Sequence, residues 1–264
     1  MAKTSTYKSK VPDSKGFIHY SDEEDQMWSE LISRQISMLK GKVCNQFIQA
    51  LDLMNFPLDR NPQLHEVSQV LQKTTGWSVE PVPALIDFTS FYTLLANRKF
   101  PAATFIRRRD DIDYLQEPDI FHEIFGHTPL LTDSRFAKFT EAFGKAGLAA
   151  DKQDHAMLAR LYWFTIEFGL IQTSKGLRSY GAGIVSSPGE LSHAMESDIA
   201  TLKPFDPIDV LRTPYRIDIY QPLYFTIESF DTLFEMADKD LISLVKEARR
   251  LGMYQPTYPV KNIA

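Results

Sequence analysis

The stretch PDIFHEIFGHTPLL, Pro118 to Leu131, sets two histidines five residues apart in an apolar frame. A regular α-helix turns about 100° per residue, so side chains at i and i+5 point about 140° apart and cannot grip one ion together. The spacing therefore predicts an interrupted helix. Gly126 stands directly before His127 and Pro129 two residues after it. Glycine at a helix end takes the left-handed conformation, and a proline close behind prevents the helix from resuming. The expectation is that His122 sits on a last helical turn and His127 swings back from a reversal. The H-E-x-x-H pattern of zinc proteases needs its histidines four apart on an unbroken helix, with the glutamate as general base. The count here argues against that arrangement and leaves Glu123 some other part.

Two histidines flanking a helix stop favour a metal site over plain core packing. His19, His65, His155 and His193 have no such neighbour and read as structural. A pair of neutral imidazoles holds a divalent ion weakly, so a carboxylate should complete the set. An acid enclosed by hydrocarbon is costly unless something charged or hydrogen-bonding meets it. Tyr162 to Leu170, YWFTIEFGL, encloses Glu167 in this way, and Tyr224 to Phe230, YFTIESF, repeats the FTIE string around Glu228. The more apolar surroundings favour Glu167 without excluding its rival. Two histidines and one carboxylate on one face of an ion leave positions open opposite, the donor set of non-haem Fe(II) oxygenases.

The rest of the chain bounds what such a site can serve. At 264 residues it is long enough to bury a core without staples. A net charge of −5 speaks against a nucleic-acid partner. Cys44 is the single cysteine, which points to a reducing, cytoplasmic setting, and no apolar stretch reaches the length of a membrane span. Residues 1–20 are polar and lysine-bearing and read as a loose arm; residues 21–264 read as one domain. Ser21-Asp22-Glu23-Glu24 forms a capping box, after which Met27, Trp28, Leu31, Ile32, Ile36 and Leu39 recur at helical spacing until Gly41. Further helices are expected over Phe47–Met54, Gln63–Lys73, the FTSFYTLLANRKF segment, Phe139–Leu148, Ala156–Ile171, Pro188–Ile199 and Thr232–Leu251. The two prolines of EPVPALI impose an extended path, short of internal hydrogen bonds, and ATFIRR favours a short strand. The fold class is mainly α, one domain with a few short β-strands.

PDIFHEIFGHTPLL, YWFTIEFGL and SYGAGIVSSPGEL (Ser179 to Leu191), together with NPQLHEVSQVL, the segment ending at Arg107, and QPLYFTIESF, resemble in order and spacing the catalytic domain of the pterin-dependent aromatic amino acid hydroxylases. The likeness runs from about Trp28 to near Phe234. It implies Fe(II) held by His122, His127 and Glu167, and a tetrahydropterin as co-substrate with O2. It places Leu85, Ile86, Phe91 and Glu123 beside the pterin, with Tyr162 near the iron. For the amino acid it implies that Arg107 and Ser186 hold the carboxylate, and that Tyr114, Pro118, Trp163 and Phe168 line the ring pocket. Ser187 and Glu190 would support the site by hydrogen bonds. The physical reading agrees at Arg107, since a guanidinium is the best bidentate partner of a carboxylate. Arg108 and Arg109 read as solvated. The chain departs from animal members at Leu115, where they carry threonine, and at Asp87 and Phe88, where phenylalanine-type members carry serines.

By the same likeness, Trp163 and an aliphatic Ile217 point to phenylalanine as the substrate and tyrosine as the product. Tryptophan or tyrosine hydroxylation within the family, a zinc hydrolase with Glu123 as base, and a non-catalytic binding protein are the alternatives. The outline resembles the short bacterial members, and implies a monomer or homodimer rather than a coiled-coil tetramer.

Overall fold

A computed structural model describes residues 7–83, 86–113, 115 and 117–258. Leu85 and Tyr114, both named above, lie outside the described residues. The first helix, α1 (Asp22–Leu39), starts where the capping box puts it: Ser21 Oγ accepts from Glu24 N, and the Glu24 carboxylate accepts from Ser21 N at 2.7 Å. Gly41, just beyond its end, has φ +74°. The stripe is buried except at Ile36, which is exposed. Gln35 takes the inward place instead, and its amide donates to Val185 O at 2.7 Å. Helices α2 (Asn45–Met54) and α3 (Leu64–Thr74) follow.

Strand β1 (Ser78–Val82), helix α4 (Phe88–Ala96) and strand β2 (Lys99–Ala103) form a crossover unit whose strands pair in parallel, from Ser78 opposite Lys99 to Val82 opposite Ala103. Glu80, Pro81 and Val82 of EPVPALI are therefore paired, and the strand ends before Pro83. Asp87 proves to be the cap of α4, accepting from Ser90 N at 3.0 Å. The strand expected over ATFIRR ends at Ala103. Past it the backbone bonds to other partners: Thr104 N to Ser9 Oγ, Arg107 N to Asp119 Oδ2, and Arg108 N to Tyr7 Oη.

Those partners correct a second expectation. Residues 7–20 are not loose. Tyr7 stacks on Phe105 with ring centroids 4.7 Å apart and its hydroxyl donates to Asp111, while Ile18 is fully buried. A few aromatic and aliphatic side chains suffice to hold a mostly polar segment when it meets a ready apolar face.

The second half holds α5 (Ser134–Ala149), α6 (His155–Tyr162), a β3–β4 hairpin (Leu170–Thr173, Gly176–Ser179), α7 (Ala182–Val185), α8 (Pro188–Glu196), β5 (Thr201–Pro204), α9 (Pro207–Arg212), β6 (Leu223–Ile227), α10 (Asp231–Met236) and α11 (Leu241–Leu251). The four strands form one sheet ordered β4-β3-β6-β5, antiparallel within the hairpin and parallel elsewhere. The helix expected over Ala156–Ile171 stops being α at Tyr162 and gives way to β3. The one expected over Thr232–Leu251 divides where Asp240 caps α11, accepting from Ser243 N at 3.1 Å. Glu228, directly after β6, is exposed rather than enclosed. The fold is mainly helical with short strands, as expected. No helix among the described residues is long and apolar enough to cross a membrane.

Candidate active site

The histidine pair solves its spacing problem by a route the sequence did not suggest. Phe121–His127 winds as a π-helix, and so does Trp163–Glu167, where Phe168 N donates to Trp163 O five residues back at 2.8 Å. Widening the turn from i+4 to i+5 bonding carries residue i+5 back over residue i. His122 and His127 consequently face one point, with Nε2 atoms 3.1 Å apart and ring planes perpendicular. The expected reversal is absent. Thr128 and Pro129 keep helical φ values of −70° and −56° and lead into a 3₁₀ turn. Gly126 serves closeness instead: a Cβ there would lie 3.0 Å from Ala182 O, so glycine lets α7 press against the π turn.

The second π turn delivers Glu167 to the same point. Its Oε1 lies 3.1 Å from His127 Nε2 and its Oε2 3.6 Å from His122 Nε2. Three ligands about 2.1 Å from a shared ion and about 90–110° apart would be separated by roughly 3.0–3.4 Å, so these donors fit one. The charges fit as well. Burial pushes the His122 imidazole down to about 4, so it is neutral. Burial opposes the charge on Glu167, yet the neighbouring His127 and His122 outweigh it and keep the carboxyl below its ordinary range.

Ser186 settles which nitrogen of His122 faces the centre. Its hydroxyl donates its one proton to Ala182 O at 2.7 Å, so it must accept from His122 Nδ1 at 2.9 Å. Nε2 then carries the lone pair. The role expected of Ser186, holding a substrate carboxylate, does not suit this geometry, because the hydroxyl is already committed to a histidine and a carbonyl. His127 is placed differently: its Nδ1 has no hydrogen-bond partner among the described residues, and its ring lies against Phe100 and Tyr162, with centroids 4.8 and 6.1 Å away.

Glu123 also brings a carboxylate oxygen within 4.8 Å of both imidazoles. Burial first, then the charges of Glu167 and Asp119, drive its carboxyl well above the ordinary range. Their surroundings thus push the two carboxyls apart, Glu123 upward and Glu167 downward.

Arg107 is buried, and its fork is partly spent. Asp119, itself fully buried, accepts from Arg107 Nε at 2.8 Å, from its Nη2 at 2.9 Å and from the backbone N at 3.0 Å, and also from His122 N at 3.1 Å. Burial works to raise the Asp119 carboxyl, but the Arg107 charge outweighs it and holds it low. Arg107 Nη1 donates to Ile112 O at 3.4 Å, a longer contact, and it is this outer guanidinium edge that Arg107 brings to the cavity. Asp119 escaped notice in the sequence, although it sits in the same apolar frame as His122.

Apart from Asp119, which stands behind Arg107, the polar groups above border one cavity of about 420 Å³, within the usual size for a small-molecule site. His122, His127, Glu167, Ile86, Phe91, Glu123, Tyr162, Arg107, Pro118, Trp163, Phe168 and Ser186 all line it. Trp163 lies between Tyr215 and Phe168, with centroids 4.2 and 4.4 Å away. Phe91 is braced edge-on by Tyr162 at 5.3 Å. Ser187 caps α8, accepting from Glu190 N at 3.3 Å, and Glu190 accepts from Tyr224 Oη and Gln221 N. Gln221, another cavity residue, went unread because nothing in its flanks marks it.

A helical domain enclosing a His–His–carboxylate centre in a deep, part-aromatic cavity has the donor set and the space of a mononuclear non-haem oxygenase. The family model for biopterin-dependent aromatic amino acid hydroxylases matches residues 1–251, and the chain belongs to that family. It is 51% identical to the phenylalanine-4-hydroxylase of Pseudomonas aeruginosa over 262 residues, covering 99% of this chain and all of that one. It is 48% identical to the enzyme of the same name from Vibrio cholerae, covering 97% of this chain and 88% of that one. Among solved structures, the apo cold-active phenylalanine hydroxylase of Colwellia psychrerythraea 34H superposes with a TM-score of 0.95 at 55% identity, covering 98% and 100% of the two chains. The Chromobacterium violaceum phenylalanine hydroxylase with bound oxidised Fe(III) gives 0.89 at 38% identity, covering 96% and 92%.

Proposed function

We propose that the protein hydroxylates L-phenylalanine to L-tyrosine, with O2 and a tetrahydropterin, at Fe(II) held by His122, His127 and Glu167. The observation that carries this is the triangle of Nε2, Nε2 and carboxylate oxygens with 3.1–3.6 Å edges, facing a cavity that also contains a buried arginine. The names of the relatives agree with it. The bound iron, with the pterin as electron donor, supplies the chemistry that activates O2 for transfer of one oxygen atom to the ring.

The protein's own residues do the placing. Asp119 holds the Arg107 guanidinium rigid, so that its outer edge meets the amino-acid carboxylate without reorganisation. Trp163, Phe168 and Pro118 form an apolar slot for the substrate ring, and enclosure excludes water from the centre. Phe91 offers a ring face to the pterin, the backbone at Leu85 and Ile86 its hydrogen bonds, and Glu123, whose carboxyl burial pushes upward, a polar partner for the pterin's edge. Tyr162 and Phe100 keep His127 in plane. Ile217, aliphatic and at the cavity wall, suits a substrate ring without a hydroxyl. Residues 21–264 are taken as the catalytic domain, cytoplasmic, and a monomer or homodimer in solution.

The names of the relatives favour hydroxylation over a zinc hydrolase with Glu123 as base. The test is product analysis after incubation with Fe(II), tetrahydropterin and phenylalanine, tyrosine and tryptophan in competition. Tyrosine formed from phenylalanine in preference to either other product is expected. Absence of pterin-dependent O2 uptake with phenylalanine would refute the proposal.

A further inference from the structure

Gln221 is buried at 1% exposure and every polar group it carries is committed. Its side-chain amide donates to Arg216 O at 2.9 Å and Ile219 O at 3.0 Å. Two carbonyls on one side require the NH2 end there, which fixes the amide and turns Oε1 toward Trp163. The indole Nε1 donates to it at 3.0 Å. Its backbone is held too: N donates to Glu190 Oε1 at 3.1 Å, and O lies 3.1 Å from His193 Nε2. Glu190 and His193 stand three apart on one face of α8, and Tyr224 Oη donates to the same Glu190 oxygen at 2.5 Å.

We propose that Gln221 is a positioning residue for hydroxylation: it locks the rotation of the Trp163 indole and ties the 216–221 cavity wall to α8, so that the substrate ring is held on target. This rests on the function proposed above. The argument is geometric. Stacking on Tyr215 at 4.2 Å fixes the plane of the indole but lets it slide or turn within that plane. A single hydrogen bond at the ring edge removes that freedom. A ring free to drift would leave oxygen activation running while fewer turnovers end in a hydroxylated product.

Gln221→Met keeps the size and removes the acceptor for Trp163 together with the two donors to Arg216 O and Ile219 O. Expected is a three- to tenfold rise in the KM for phenylalanine and a similar fall in tyrosine formed per pterin oxidised, about what one hydrogen bond is worth, while the kcat of pterin oxidation changes less than about twofold. Trp163→Phe removes the same bond from the other side and should lower the coupling by a similar factor. Because the two single variants break one shared bond, the double variant should lose less coupling than the product of the two single losses. Trp28 and Trp77 are fully buried elsewhere, so the emission lost on Trp163→Phe isolates the Trp163 signal, and Gln221→Met should shift that signal. Full coupling in either single variant, additive losses in the double variant, or an unshifted Trp163 emission would overturn the proposal. If Gln221→Met does not fold, the coupling of Trp163→Phe decides. If the wild-type protein makes no tyrosine, the functional reading fails, and the emission shift still tests the clamp.

Discussion

Asp119→Asn should separate the site's electrostatic support from its shape. The carboxylate is fully buried and accepts from three nitrogens of Arg107 and from His122 N. An asparagine of the same outline keeps one oxygen and turns an NH2 toward a guanidinium that only donates. It therefore leaves a buried charge without its counter-ion. Breaking a buried pair in this way costs about 3–5 kcal/mol, which for a chain of this size is a fall in Tm of roughly 6–20 °C. The pH dependence has a definite sign. The folded carboxyl is held below its ordinary value, so its contribution to stability is complete above about pH 4 and is lost as pH falls through the lowered value. Asp119→Asn should destabilise most at neutral pH and lack that acid limb. The assay is thermal unfolding at pH 7 and at steps down to pH 3, with the KM for phenylalanine alongside. A Tm within about 2 °C of wild type at pH 7, equivalent to roughly 1 kcal/mol or less, together with an unchanged KM, would refute both the pair's energetic weight and its role in aiming Arg107.

Other outcomes follow from the same geometry. Glu167→Ala should abolish stoichiometric iron binding measured by metal analysis, while Glu228→Ala, on an exposed side chain, should retain the metal and change stability by less than about 0.5 kcal/mol; the reverse pattern would exchange their roles. Gly169→Ala would place a Cβ 2.1 Å from the Tyr180 ring and 2.3 Å from Thr165 O, so backbone must move beside the Glu167 turn. Expected are a loss of about 1–3 kcal/mol in stability and weakened iron binding in the folded fraction. A variant indistinguishable from wild type in melting and metal content would show that the turn yields more easily than its contacts imply.

The comparison of sequence with structure divides along physical lines. Features set by local chemistry were legible: the Ser21 cap, the α1 stripe, the Gly41 stop, and the order of His122, His127 and Glu167 along the chain. The π turns were not, because the apolar pattern around them is that of an ordinary helix and a wider turn leaves no periodic trace over five to seven residues. Gly126 was noticed for the wrong reason, since a glycine that admits a neighbouring helix looks the same in sequence as one that ends its own. β5 was missed because its four residues are all exposed and end in proline, so no alternation marks it. The anchoring of residues 7–20 depends on an apolar face nearly a hundred positions away, at Phe105 and its neighbours, which a local reading of a polar segment cannot see.

Each ligand-bearing segment thus depends on one residue more than an α-helix would use. Removing a single residue within Phe121–His127 or Trp163–Glu167 would let that stretch close into regular α-helix, the form most sequences prefer. Between the histidines it would leave an i, i+4 pair about 40° apart on one face of that helix, still able to share an ion. The spacing of the ligands is in this sense a matter of counting: five residues on a π turn and four on an α-helix bring the same two imidazoles to one side, whereas five on an α-helix would part them.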